Sequence, residues 1–422
     1  MRDVNDVNSS STTVSAVSFT VVARVIVLIA GFAASVLTAR GLGVEGRGQY
    51  YAVMTLAAII AQFGNLGLSS SNTFLAARDR ANSWALVVNS VWVSVALGVV
   101  TALALVFLGE PISMRLGVPA VLAWTLCFIA PAILAFTLCS GVLVANERFF
   151  AMSTWSVVNA ALVLVGVAIC TSVGAGSEVF VVVTLLAAYM AAIGLIVDVG
   201  RRLDRHAGWS FDVPRMRASV QFASRAYVAL LAGFLIQRIG VTLLMVYRGS
   251  VEIGVYSIAA QIADVLVILP SSIAMVLFPT LIRDPDDAWR KTRQAVLLVI
   301  GCMLAIGAGV WLVGELVITT VFGTEFAASY HVLLWLLPAV LAVSVSSVLS
   351  QYVVAEGFPR SLVALWIAGL GLCVFFGIPL VDASSVIGAA QAQSFGAVAV
   401  CFGVIALTVR RRRLSLKSVL RA

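Results

Sequence analysis

Charge is what this sequence has least of. Asp, Glu, Lys and Arg make up 11% of its 422 residues, where a soluble globular domain carries roughly 25%. Hydrophobic residues fill 61%, and the mean hydropathy is +1.07. Together these exclude an ordinary water-soluble fold, and the chain reads as an all-α polytopic membrane protein. Lysine is almost missing, with Lys291 and Lys417 alone, so arginine carries nearly all the positive charge. In a membrane protein the net charge of +8 orients loops rather than binding nucleic acid.

Other scarcities narrow the chemistry. There are two histidines, His206 and His331, with no second histidine at ligand spacing beside either. The six cysteines (Cys127, Cys139, Cys170, Cys302, Cys373 and Cys401) form no CxxC pair and all fall in apolar runs. They read as small buried hydrophobes rather than a disulfide or metal framework. No Ser-His-Asp or paired-carboxylate constellation stands out, and no cofactor is implied. No connection is long enough for the soluble loop that a membrane-embedded glycosyltransferase needs, which disfavours that class. Gly41-Leu-Gly43-Val-Glu-Gly46 matches GxGxxG in form only. It follows an apolar run instead of a strand and has no βαβ unit around it, so dinucleotide binding is rejected.

Long apolar runs are plentiful. A crossing needs about 20 such residues, and that measure predicts twelve transmembrane helices, among them 14–39, 49–74, 222–247, 255–282 and 387–409. The first run is too long for a signal-peptide core and is expected to stay as a crossing. With the N-terminus inside, 21 of the 27 basic residues fall in inner segments, four in outer ones, and Arg24 and Arg238 within crossings. So strong a bias predicts two cytoplasmic termini. The expected division is an N-terminal six-helix bundle at 1–200, a cytoplasmic linker at 201–221, a C-terminal six-helix bundle at 222–409 and a basic cytoplasmic tail at 410–422. Asp212 and Pro214 look like a helix start. Trp209, Met216 and Val220 suit a short helix lying at the interface.

The two halves echo each other. Gly43, Gly48 and Tyr50 recur 206 residues later as Gly249, Gly254 and Tyr256. Gly109-Glu110 recurs as Gly314-Glu315, Pro131 as Pro338, Trp155 as Trp366, and Val144-Ala145 before Asn146-Glu147 as Val354-Ala355 before Glu356-Gly357. An ordered series of matches at a near-constant offset marks a duplicated unit. With six crossings per copy, both copies share one orientation, a design used for alternating access. The four repeated glycines, Gly43, Gly48, Gly249 and Gly254, are read as hinges between the first and second crossings of each half.

Candidate binding residues are the polar groups inside crossings. Arg24 lies near the centre of the first, where an arginine costs roughly 2.5–3.5 kcal/mol on insertion scales, so it is expected to face a wet cavity or a partner. Thr20, Gly31 and Ser35 share its stripe. Arg238, beside Gln237, lies in the seventh crossing. Asp264 and Gln261 lie in the eighth and are the candidates for proton or sodium coupling, with an Arg238–Asp264 ion pair as the alternative reading. Gln62 and Asn65, three apart in the second crossing, are either sugar contacts or interhelical hydrogen-bonders. Two guanidiniums suit an anionic, diphosphate-bearing ligand, because their forks match phosphate oxygens in pairs.

The stretch from Arg40 to Leu68 carries a family pattern: Arg40, Leu42-Gly43, Gly48 and Tyr50, then a helix ending in Leu66-Gly67-Leu68. The second half supplies Arg238-Ile239-Gly240, Gly254-Val255-Tyr256-Ser257 and Phe278-Pro279. The chain thereby resembles the bacterial polysaccharide-export (Wzx-type) flippases of the multidrug/oligosaccharidyl-lipid/polysaccharide exporter superfamily. That resemblance implies a V-shaped two-bundle transporter in the cytoplasmic membrane of a bacterium. Its implied cargo is a polyprenyl-diphosphate-linked oligosaccharide, moved between leaflets and surrounded by membrane lipid. The polysaccharide polymerase and glycosyltransferases of the same pathway are the implied partners, and Arg24 and Arg238 match the family's basic cavity positions. A cation-coupled multidrug exporter of the same superfamily is the alternative. Such exporters typically carry acids in their early helices, and this chain has none in its first five crossings.

Overall fold

The computed structural model describes residues 3–80, 83–202, 208–284, 287–355 and 359–419. Among them the chain is helical from end to end: α1 (Asp3–Asn65), α2 (Leu68–Arg78), α3 (Ser83–Leu116), α4 (Ala120–Trp124), α5 (Leu126–Ala145), α6 (Phe149–Ser172) and α7 (Ser177–Arg202) come first. Then follow α8 (Val213–Tyr247), α9 (Ser250–Arg283), α10 (Ala288–Val321), α11 (Ala328–Ala355) and α12 (Arg360–Val419). His206, Arg2, Arg205, Arg421 and the Glu356-Gly357 repeat anchor lie outside the described residues.

Among the described residues, ten helical stretches are long and apolar enough to cross a bilayer. Two of them are too long for a single passage. Phe19–Asn65 has 47 residues and Arg360–Arg412 has 53, about 70 and 80 Å as straight helices against a hydrocarbon core of about 30 Å. Each contains a sharp elbow. In α1 it falls at Gly43 (φ 64, ψ −174), a combination essentially confined to glycine. In α12 it falls at Ser384 and Ser385, the latter at φ 49. A Cβ on Gly388 would sit 1.9 Å from the Leu380 carbonyl oxygen, so the α12 elbow closes only because residue 388 has no side chain. Counting these stretches as two crossings each gives the twelve expected from the sequence.

The chain divides into two compact units, Met1–Tyr227 and Val228–Ala422, with the boundary inside α8. The same rank of helix holds each unit together. In the first, α5 packs against α1, α2, α3 and α7, and in the second α11 packs against α9, α10 and α12. Each contributes to its unit's fourth crossing, and these are the two most enclosed crossings, 61% of each window being buried. They carry the repeated prolines, Pro131 and Pro338. In lipid such packing rests on van der Waals contact and interhelical hydrogen bonds rather than on exclusion of water.

The repeated tyrosines confirm the duplication in side-chain detail. Tyr50 Oη is 3.1 Å from Thr184 Oγ1 in α7, and Tyr256 Oη donates to Gln393 Oε1 at 2.7 Å in α12. Each ties the second crossing of its unit to the sixth. The hinge glycines separate into two kinds. Gly43 lies at an elbow and Gly249 (φ −129, ψ −173) caps α9. Gly48 and Gly254 lie inside the following helices instead, because each helix starts within a residue of its break.

The expected interfacial helix around Met216 and Val220 is the beginning of α8. Asp212 starts it, accepting the Arg215 N–H at 2.9 Å and pairing with the Arg215 guanidinium, and no break follows before Tyr247. At the other end of the chain the basic tail continues α12 to Val419. Its Arg411 donates to the Val353 carbonyl at 2.8 Å, and the Arg412 guanidinium stands 4.7 Å from the Trp289 ring centroid.

Replacing Gly43 by alanine is expected to destabilise the protein by about 1–3 kcal/mol, read as a lower melting temperature in detergent. Gly249→Ala, at negative φ, is expected to cost clearly less.

Candidate functional site

Arg24 is exposed on the first unit, at the edge of the buried face that Ala23, Ala30 and Ala34 define. Its exposed neighbours Val21, Val22, Val25, Ile26 and Ile29 are all apolar. Among the described residues Arg24 has no ion-pair partner. It lies nineteen residues before the Gly43 elbow, about 28 Å of helix, so its stem is too short to reach that end of the crossing.

Arg238 is in a different situation. Its Nη1 is 2.8 Å from Asp264 Oδ2, with side chains 22% and 37% exposed. The guanidinium also lies 5.7 Å from the Phe234 ring centroid. The ion pair joins the seventh and eighth crossings within the second unit and cancels both charges locally. Gln237 is half-buried on the same helix, and Gln261 lies one turn from Asp264. Arg238 precedes Gly249 by eleven residues, about 16 Å of helix. The two arginines are therefore not repeat counterparts. At the 206-residue offset Arg24 aligns with Leu230, and Arg238 aligns with Phe32.

The second crossing is broken, where an unbroken run over 49–74 was expected. Leu66 (φ 46) and Gly67 (φ 76) both take left-handed backbone between α1 and α2. A break of this kind survives in a membrane only where other groups satisfy the freed backbone. Here the Tyr227 hydroxyl donates to the Gln62 carbonyl at 2.6 Å and approaches that of Phe63 at 3.2 Å. Asn65 is buried, and its Oδ1 accepts the Ser69 N–H at 3.1 Å while its Nδ2 donates to Ser69 Oγ at 3.3 Å. Asn65 is thus occupied in bridging the break. The Gln62 side chain is half-buried nearby.

Sequence reasoning missed Arg47. Assigned to an outer loop, it is 2% exposed. It donates to Ser35 Oγ at 2.9 Å and to Thr38 Oγ1, and it stands 5.9 Å from the ring centroids of Tyr50 and Tyr51. The guanidinium reaches back across the Gly43 elbow and fastens one arm of α1 to the other. The signal was present as a hydroxyl at Thr38 and two tyrosines within one turn of Arg47. Tyr227 was also missed, since its partners are backbone carbonyls of a break that apolar periodicity does not reveal.

Twelve crossings in a repeated six-crossing arrangement define a multi-pass membrane fold that several solved transporters share. Among solved structures the chain is similar to the lipid II flippase MurJ in an inward closed conformation (TM-score 0.77, 14% identity, covering 92% of this chain and 86% of that one). It is also similar to an inward-facing multidrug resistance MATE family transporter (TM-score 0.72, 16% identity, 94% and 99% coverage). A third likeness is to the Vibrio cholerae MATE transporter VcmN (TM-score 0.61, 14% identity, 96% and 98% coverage). At these identities the likeness concerns the fold. No curated protein sequence matched. Residues 14–284 match the profile of the family described as "Polysaccharide biosynthesis protein", and the chain belongs to that family.

Replacing Tyr227 by phenylalanine is expected to destabilise the first unit by about 1–3 kcal/mol, because two carbonyls lose their donor. Hydrogen exchange of the amides around 66–70 should accelerate in the same variant.

Proposed function

We propose that this protein flips a polyprenyl-diphosphate-linked oligosaccharide across the cytoplasmic membrane of a bacterium by alternating access of its two units. The observation that carries the reading is Arg24. An ionised arginine within a crossing, exposed among apolar neighbours and with no carboxylate partner among the described residues, is costly in lipid unless water or an anion meets it. A diphosphate supplies that anion, in a geometry that a guanidinium fork accepts through two parallel hydrogen bonds. Arg238 enters the same scheme in a second role. Held by Asp264 it tolerates burial as a neutral pair, and an arriving phosphate exchanges one acidic partner for another at the same guanidinium. Membership of the polysaccharide biosynthesis family supports an oligosaccharide cargo, and the flippase fold supports a lipid-linked one. Both termini are assigned to the cytoplasm, and the enzymes that build and polymerise the repeat unit are the natural partners.

A cation-coupled drug exporter is the second reading, and the exposure of Asp264 is what favours it, since carboxylates in crossings often carry protons or sodium. In that case Asp264→Asn abolishes drug efflux while the surface polysaccharide is unchanged.

Under the first reading, Arg24→Gln lowers polysaccharide export by about 10–100-fold, the loss of one charge-assisted contact of about 1.5–3 kcal/mol, at normal protein level in the membrane. Arg24→Lys keeps the charge without the fork and recovers only part of the export. Quantifying surface polysaccharide against membrane-inserted protein checks both variants. Full export by Arg24→Gln and by Arg238→Gln would sink the anionic-headgroup reading.

A further inference from the structure

Positive charge gathers at one end of the second unit, where α9 finishes, α10 begins, and α11 and α12 finish. Side-chain contacts tie these helix ends together. Asp284, the C-cap of α9, takes the Lys291 ammonium of α10 at 2.7 Å. Trp289 of α10 meets Tyr352 of α11 edge-on, with ring centroids 5.7 Å apart. Arg411 of α12 donates to the Val353 carbonyl of α11, and the next residue, Arg412, holds its guanidinium 4.7 Å from the Trp289 ring centroid.

The acids at this end are already engaged. Among the described residues they are Asp284 and Asp287, which hold Lys291 and Arg290. Arg283, Arg293, Arg360, Arg410 and Arg412 are exposed and have no ion-pair partner among the described residues. The matching end of the first unit is balanced differently, with Asp79, Glu147, Asp198 and Asp212 lying among its arginines. Orientation of loops by positive charge acts on both units, so it does not account for an excess in one.

Three of these arginines continue lipid-facing stripes. Arg283 follows Val276 by seven residues, Arg293 precedes Leu297 and Leu304 by four and eleven, and Arg410 follows Phe402 and Ala406 by eight and four. Such spacings put each arginine on the helix face of those apolar side chains, all of which are exposed. A face that changes from exposed apolar residues to arginine marks the level where hydrocarbon gives way to headgroups. Trp289, a residue type that gathers at that level, lies one helical turn before Arg293, a spacing that puts the two Cβ atoms about 6 Å apart. Arg293 and Arg412 thus flank one indole ring. Stacking on an aromatic face suits a guanidinium, and its edge N–H groups remain to bind phosphate oxygens in pairs.

We infer that this end of the second unit is a docking surface for anionic phospholipid of the adjoining leaflet. A phosphodiester sits between Arg293 and Arg412 beside Trp289, and the acyl chains run along Leu297 and Leu304. Charge decides between headgroups. Phosphatidylglycerol brings one net negative charge to unpaired arginines. The ammonium of phosphatidylethanolamine or phosphatidylcholine brings a cation to a surface whose described acids are already engaged. A bound lipid here joins the start of α10 to the end of α12. The inference is independent of the cargo proposed above.

The test uses the full-length protein, delipidated in detergent, titrated with phosphatidylglycerol, phosphatidylethanolamine and phosphatidylcholine, and read by native mass spectrometry and thermal shift. Phosphatidylglycerol is expected to be retained most strongly and to raise the melting temperature most. Arg293→Gln and Arg412→Gln should each weaken its retention about fivefold, in line with the contribution of one arginine at a membrane surface. The Arg293 side chain makes no hydrogen bond or ion pair among the described residues. Arg293→Gln should therefore leave the lipid-free melting temperature unchanged and reduce only the rise that phosphatidylglycerol produces. Inorganic phosphate and a polyglutamate peptide should displace the lipid only weakly. Equal retention of all three lipids, retention unmoved by both substitutions, or displacement by phosphate or polyglutamate as strong as by the lipid itself would each overturn the assignment.

Discussion

A bilayer offers no water to a peptide group that leaves a helix, so every break in a crossing must be satisfied from within the protein. The structure depends on how that demand is met. At Leu66–Gly67 the donor is Tyr227, 165 residues from Gln62 in sequence. Near the Ser384–Ser385 elbow it is Arg248, whose guanidinium donates to the Val381 and Asp382 carbonyls at 2.7 and 3.0 Å. At Gly43 the arms of α1 are held by Arg47 through the Ser35 and Thr38 hydroxyls. These breaks are thus closed by side chains from other helices or from the far side of the break. Each such bond is also a place where bending is resisted.

The same economy of charge separates scaffold from site. Repetition governs the scaffold: the paired tyrosines and the proline-bearing fourth crossings recur in both units. The arginines within crossings do not recur. Arg24 and Arg238 differ in depth from their own hinges and in electrostatic company, one without a carboxylate and one held by Asp264. The duplicated frame thus carries unduplicated charges. Under the flippase reading Arg24 supplies net attraction for a diphosphate, and the Arg238–Asp264 pair supplies an exchangeable contact that does not trap it.

Much of this was legible in the chain itself. Apolar run length placed the twelve crossings, because lipid imposes both a length and a composition on them. The 206-residue echo identified structurally equivalent tyrosines, since their hydroxyl partners sit at matching places in each unit. The Arg238–Asp264 pair was foreseen as one of two alternatives, since adjacent crossings can bring such residues together. What stayed hidden depends on backbone geometry. Nothing in the run from Gln49 to Phe74 announces that Leu66 turns left-handed, and without that break Tyr227 has no visible role and Asn65 looks like a ligand contact. Arg47 was misplaced because a loop between two apolar runs was taken to be solvated, whereas the elbow at Gly43 leaves no loop at all.

The central claim is that a lipid-linked oligosaccharide is the cargo, and the composition of membrane lipids in cells lacking the protein tests it most directly. Polyprenyl-diphosphate oligosaccharide extracted from such cells should accumulate well above the level in complemented cells, with its sugars matching the missing surface polysaccharide. An unchanged lipid pool and intact surface polysaccharide, together with hypersensitivity to cationic dyes, would contradict the account and favour a drug exporter.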